Sequence, residues 1–251
     1  MKEIVATSLA TLISTALLLI VWIVVTGPGG LPGTIFPSPI DVLRALYSGL
    51  VEGLLWPHIR FTVQSAMVGL LIGASLGVAA GALVVLVPVI EPFVLPIVVG
   101  LQSVPKIAVT PIIIACLGFG MASKVFTVAL LCFFPLFVSA VAGLRATDQS
   151  LLDLYRVVSA SKMHVLLNAR IPAAAPYLFS GFQIAFVLSL LGCVVAEFIA
   201  SSRGLGFIIK ARSNDLDIST MFAAIVVLSA IGVVGTTIVR LLQRRVVFWL
   251  P

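Results

Sequence analysis

Long apolar runs separated by short polar segments dominate this chain, at about residues 4 to 26, 62 to 88, 92 to 118, 123 to 143, 175 to 200 and 218 to 241. At about 1.5 Å rise per residue, each run wound as a helix covers a hydrocarbon core roughly 30 Å thick, and the longer ones accommodate tilt. The pattern predicts an all-α integral membrane protein of six transmembrane helices forming one domain over residues 1–251. The first run follows Met1-Lys2-Glu3 directly and has no small-residue cleavage site after it, so it reads as a retained span rather than a signal peptide.

The interruptions carry as much information as the runs. Gly27 to Pro39 reads GPGGLPGTIFPSP, too rich in Gly and Pro for regular structure. SPIDVLRAL then starts a short helix, with Ser38 as N-cap, Pro39 in the first turn and Asp41 at the positive end of the dipole. The second run places Gly69, Gly73, Gly77 and Gly81 four residues apart, on nearly one helical face, where missing side chains let another backbone approach; helix packing is the expected role. The third run carries Pro96, Pro105 and Pro111, with Lys106 near its middle. Proline removes a backbone donor, and broken backbone at membrane depth survives only under a cover of protein or water, so this crossing is expected at the centre of the bundle.

Composition agrees with the pattern. Of 251 residues, 61% are hydrophobic and 10% charged, and the mean hydropathy is +1.26, too little charge to cover a water-soluble surface. Cys116, Cys132 and Cys193 stand singly in apolar runs without metal or redox spacing, so neither a metal site nor a disulfide is expected. Six crossings put both termini on one side. Lys2, Arg145, Arg156, Lys162, Arg170, Arg240, Arg244 and Arg245 fall on that side and outnumber the outer cations, which makes it the cytoplasm by the positive-inside rule.

The longest cytoplasmic interruption is RATDQSLLDLYRVVSASKMHVLLNARIPAAAP, from Arg145 to Pro176. Asp148 or Ser150 caps a short helix on which Leu151, Leu154, Tyr155 and Val158 share a face, with Asp153 and Arg156 on its flank. Ser159, Ala160 and Ser161 break the pattern with small side chains. Ser161 then starts a second helix from Lys162 to Ala169, which Pro172 is expected to end. Physics alone leaves two roles open: a surface on which a partner docks, or an amphipathic loop resting on headgroups through Arg156, Lys162 and Arg170.

The stretch resembles the cytoplasmic loop of ABC importer permeases, whose pattern is Glu-Ala-Ala, three residues, Gly, about nine more, and an aliphatic-x-Leu-Pro ending. Asp153, Leu154 and Tyr155 stand at the Glu-Ala-Ala positions, Ser159 at the glycine, Ala160-Ser161 after it, and Ile171-Pro172 at the end. Leu154 and Tyr155 are bulkier than the family's alanines, and Ser159 replaces a residue free to take positive φ. Nearly the whole chain is similar to the permeases for nitrate, sulfonates, taurine and bicarbonate. LPGTIFPSPIDVLRAL, SVPKIAVTPIIIACLGFGMASKVF and AEFIASSRGLGFII carry that likeness in order.

The resemblance implies a type I ABC importer-like permease with a two-helix coupling loop over about residues 144–174, assembled as a homodimer in the inner membrane. Two ATP-binding subunits would hold the ATP and Mg, and a solute-binding protein would deliver a small anionic or polar solute from outside. Asp153, Leu154, Tyr155, Arg156, Ser159, Ala160, Ser161, Lys162, Ile171 and Pro172 would form the coupling site. The chain contains no G-x-x-x-x-G-K-[ST] motif, so it is not expected to hydrolyse ATP itself or to bind a cofactor or nucleic acid.

Lys106 and Glu197 read as the ionisable residues inside spans. Either they pair with each other, or with Gln102 and Ser103 they line the path or its gate. Arg203, Lys210 and Arg212, set against Asp215 and Asp217, form an outer segment that either orients a binding protein or is simply solvated. The competing class is an ion-gradient-driven transporter or channel, for which more intramembrane acids or a two-halves repeat would be expected. A membrane enzyme would need His58 and His164 in one site, and the topology sets them on opposite faces.

Overall fold

In chain order the computed structural model runs α1 (Lys2–Val25), α2 (Pro39–Val51), α3 (Trp56–Leu86), α4 (Glu91–Gln102), α5 (Lys106–Leu117), α6 (Met121–Arg145), α7 (Gln149–Val157), α8 (Lys162–Val165), α9 (Ile171–Ile199), α10 (Leu205–Asn214) and α11 (Ile218–Val246). It describes residues 2–249 apart from Pro28, Leu31 and Thr34, with backbone alone for residues 2–12. The side chain of Lys2, used above for orientation, therefore lies outside the described residues.

α3, α6, α11 and the continuous helix Lys162–Ile199 are each long and apolar enough to cross a membrane, and α4 with α5 qualifies as a bent pair. The backbone of α1 is equally continuous, although only Ile13–Val25 is described with side chains. The protein is an all-helical membrane protein. Its core lies where α3, α6 and α9 meet, around Ala66, Leu70, Val128, Cys132, Leu136, Ala185 and Cys193. The glycine row of α3 makes this contact close: a Cβ at Gly77 would lie 2.5 Å from the Phe133 carbonyl oxygen, and one at Gly69 2.5 Å from Val128 Cβ. Gly73 and Gly81 meet α6 in the same way, at Ala129 and at Ala140 and Phe137.

Two expectations need correction. Pro172 does not end the second loop helix. A π-helical turn over Leu166–Arg170 precedes it, the Ile171 N–H bonds to the Leu166 carbonyl, and Pro172 falls within the first two positions of α9. Widening the ladder by one residue absorbs the missing donor, so helix runs unbroken from Lys162 to Ile199. Secondly, the third apolar run is broken as expected, with α4 and α5 bent by 92° across Ser103–Pro105, but while α5 buries Thr110, Ile113 and Ile114, α4 is not central in the single chain. Only Val98 of α4 is buried, and Phe93, Ile97 and Val99 are exposed.

The two ends of α9 carry different structures. At its N-terminal end the α7–α8 segment joins α6 to α9, and an ion pair between Arg145 and Glu91 ties the end of α6 to the start of α4. At its C-terminal end, α10 is held by Leu55, Leu205, Ile208, Ile209 and Ala224, a second core shared with α11. The 29 residues of α9 separate these ends by about 40 Å.

Candidate functional site

Asp148 caps α7 by accepting the Ser150 N–H at 2.8 Å, and Gln149 and Arg156 both donate to Asp153. No residue of α7 is buried; Leu154, Val157 and Val158 are 59%, 82% and 64% exposed. The helix closes in a Schellman turn: Ser159 N–H bonds to the Arg156 carbonyl and Ala160 N–H to the Tyr155 carbonyl. That turn needs a left-handed residue, and Ser159 takes φ +54°. The serine thus occupies the conformation for which glycine is suited. Ser161 then caps α8 by accepting from His164 N–H, and the His164 ring meets Tyr155 edge-on. Asp153 through Lys162 thus form one exposed two-helix surface, and Ile171 and Pro172 lead from it into α9.

The break between α4 and α5 gathers Gln102, Ser103 and Lys106. Lys106 Nζ donates to the Gln102 carbonyl at 3.1 Å, satisfying an orphan acceptor at the C-terminal end of α4, and lies 4.4 Å from the Phe134 ring centroid. Lys106 is half-buried and Ser103 exposed, on the side of the bundle that the chain leaves open.

Glu197 is elsewhere, and it does not pair with Lys106. It is 1% exposed, and its carboxylate accepts from Thr62 Oγ1 and from Gly206 N–H, both at 2.8 Å, with Cys193 Sγ donating at 3.4 Å. Thr62 in turn accepts the Leu205 N–H at 2.8 Å, and His58 Nδ1 accepts the Gly204 N–H at 3.0 Å. Three side chains from α3 and α9 therefore take the first three free N–H groups of α10. A carboxylate here also faces the positive end of that helix. Gly204 has φ +112° and lies so close to Glu197 that any Cβ would meet the carboxyl group.

Beside this cap Lys124, fully buried, donates to the Phe119 and Ala200 carbonyls at 2.5 Å. The sequence reading missed this cation, although it sits within the SVPKIAVTPIIIACLGFGMASKVF segment. On the rest of the outer segment, Lys210 Nζ donates to the Phe198 carbonyl and Arg212 lies 3.8 Å from both Asp215 and Asp217. His58 and His164 stand at opposite ends of α9, at Gly204 and before α8's last residue respectively. Among the described residues, no three His, Cys, Asp or Glu gather as metal ligands.

Residues 69–248 match the family described as the binding-protein-dependent transport system inner membrane component. The chain belongs to that family. This permease is the inner-membrane subunit of an ABC importer, and ATP is bound and hydrolysed by separate ATPase subunits. The family implies those subunits and a binding protein as partners. The permease is 34% identical over 237 residues, 94% of its length and 88% of the relative's, to the riboflavin transport system permease protein of Chloroflexus aurantiacus. The taurine transport system permease protein of Escherichia coli is 29% identical, with 93% and 87% covered. Among solved structures, a chain of the inward-facing methionine ABC transporter MetNI matches with a TM-score of 0.59 at 17% identity, over 83% of the permease and 95% of that chain, a likeness of fold.

Proposed function

We propose that the permease is a six-span subunit, α1 and the α4–α5 pair each making one crossing, that works as a homodimer with both termini in the cytoplasm. The exposed side of α4 supports the dimer: the irregular backbone at the Ser103–Pro105 break calls for a cover of protein or water at membrane depth, and a second copy would supply it and enclose a path between subunits. Gln102, Ser103 and Lys106 then face that path. A cation at the α4–α5 break favours a small anionic or polar solute, in line with the resemblance to sulfonate and taurine permeases.

The α7–α8 segment is the coupling site for the ATPase in this reading. The observation that carries it is the exposure of Leu154, Val157 and Val158 on a helix that is otherwise fully capped and folded. A helix that buries nothing in its own chain and shows apolar residues to water presents a surface for a partner. When the ATPase subunits close on ATP they draw the docked α7 helices together, and the unbroken Lys162–Ile199 helix passes that motion to the bundle. Hydrolysis resets it.

The test is a cross-link. With Cys116, the exposed native thiol, replaced by serine, a Leu154→Cys permease co-expressed with its ATPase is labelled with a maleimide carrying a benzophenone and irradiated. A permease–ATPase adduct is expected for Leu154→Cys and not for Leu18→Cys on α1; adducts at both positions or at neither refute the assignment of α7.

A further inference from the structure

Behind the docking surface, the permease has a cavity of about 410 Å³ between α7–α8 and the end of α3. Its floor is apolar, made by Val85, Leu86, Leu152 and Val165, and three cations, Arg156, Lys162 and Arg170, are among the residues of its walls. No carboxylate lines it. Arg156 is held by Asp153 at 2.6 Å, while Lys162 and Arg170 have no ion-pair partner among the described residues.

The cavity's depth is set by the chain. Val85 and Leu86 are the last residues of a 31-residue membrane helix, and Arg170 is the residue before α9 begins. The end of α3 marks where that span leaves the hydrocarbon, the level of the lipid headgroups, and Arg170 lines the same cavity from within the continuous helix Lys162–Ile199. Leu152, Tyr155 and Arg156 lie on the cavity side of α7, about 100° round the helix from the exposed Leu151–Leu154–Val158 row. α7 itself makes no extensive packing with any span. The gap that leaves it unbraced is the gap lined by the cations.

We propose that this cavity holds the headgroup phosphate of an anionic phospholipid, with the start of its acyl chains along Val85 and Leu86. Cationic pockets beside membrane helices on the cytoplasmic side suit such headgroups, since the phosphate meets the charges while the glycerol end stays on apolar surface. The bound lipid fills the space between α7 and α3 and braces the coupling helix against the bundle. The proposal rests on the reading of α7–α8 as the cytoplasmic docking segment.

The experiment uses the permease–ATPase complex and, in parallel, the full-length permease alone, each in nanodiscs of phosphatidylcholine with a small fraction of phosphatidylglycerol. Lipid retained through delipidating washes is counted by mass spectrometry for the native chain, Arg170→Gln and Arg170→Lys. Arg170→Gln is expected to retain about fivefold less phosphatidylglycerol, the effect of one cation near an anionic lipid surface, and Arg170→Lys to retain the native amount. ATPase subunits per permease are expected to be equal in all three.

Equal phosphatidylglycerol retention by native and Arg170→Gln overturns the proposal. So does displacement of the lipid by soluble glycerol phosphate at the same concentration, which would make a free anion the ligand. Loss of the ATPase from Arg170→Gln with lipid retention unchanged also overturns it and assigns the cations to the protein interface. Lipid retention on the permease alone is read independently of the ATPase, so a failure of the docking reading is seen separately, as a native complex that holds no ATPase.

Discussion

The α10 end and the α7 end of the permease use polar residues in opposite ways. At the α10 end His58, Thr62, Lys124 and Glu197 all find partners inside the chain, and Lys124, Thr62 and Glu197 are buried. At the α7 end Asp153, Arg156, Ser159 and Lys162 stay exposed, and their internal bonds only shape two short helices. The contrast teaches that intramembrane charge does not by itself mark the path or the partner. Glu197 is costly to bury, and what offsets that cost is an otherwise uncapped helix. The surface proposed for the ATPase is instead the one whose side chains have nothing further to do within the chain.

The largest effect should come from breaking the α10 end. Glu197→Ala leaves Thr62 and the Gly206 N–H without their acceptor, and Lys124 without its neighbouring carboxylate, a loss of about 3–5 kcal/mol for a broken buried charged site. Gly204→Ala adds a Cβ against Glu197 at a backbone angle that disfavours it. Both variants should show a markedly lower melting temperature in detergent, read by size-exclusion chromatography after heating. Native-like melting for Glu197→Ala would show that the cap is dispensable and revive a role for Glu197 in the path.

Next in size is Gly77→Leu, which forces α3 from α6 at the Phe133 carbonyl and Phe137. Overpacking of this kind costs about 1–3 kcal/mol or more where backbone must move, again as a lower melting temperature. Asp153→Arg with Ser159→Arg should act oppositely: these exposed sites change stability by less than about 0.5 kcal/mol each, apart from strain at Ser159, yet ATPase capture should fail. The smallest effect sharpens the comparison. Ser159→Gly relieves a left-handed residue and should stabilise the loop by about 1 kcal/mol, seen as slower proteolysis at the α7–α8 turn with ATPase capture retained.

Local features were legible in the sequence. Ser38, Asp148 and Ser161 accept the cap bonds their positions predict, the four-residue glycine spacing of α3 faces α6, and the chain breaks between Ser103 and Pro105. The fate of Pro172 was not, because the rule that a helix stops before proline assumes an α ladder and the π turn supplies a different one. The α10 cap was hidden for another reason: Thr62 and Glu197 are 135 residues apart, and no local pattern joins them. The available signals were Gly204 and Gly206 just after an intramembrane acid, and a second buried-span cation at Lys124. The exposed flank of α4 was not legible because hydropathy does not distinguish a face turned to lipid from one turned to protein.

The most direct test of the division between a structural end and the proposed coupling end is the number of ATPase subunits held per permease by two variants measured side by side in lipid. Glu197→Gln, which keeps the shape of the cap, should hold the native number wherever it remains folded, and Asp153→Arg with Ser159→Arg should hold almost none while melting near the native temperature. Retention of the ATPase by the loop variant, or its loss from folded Glu197→Gln alone, would contradict the account.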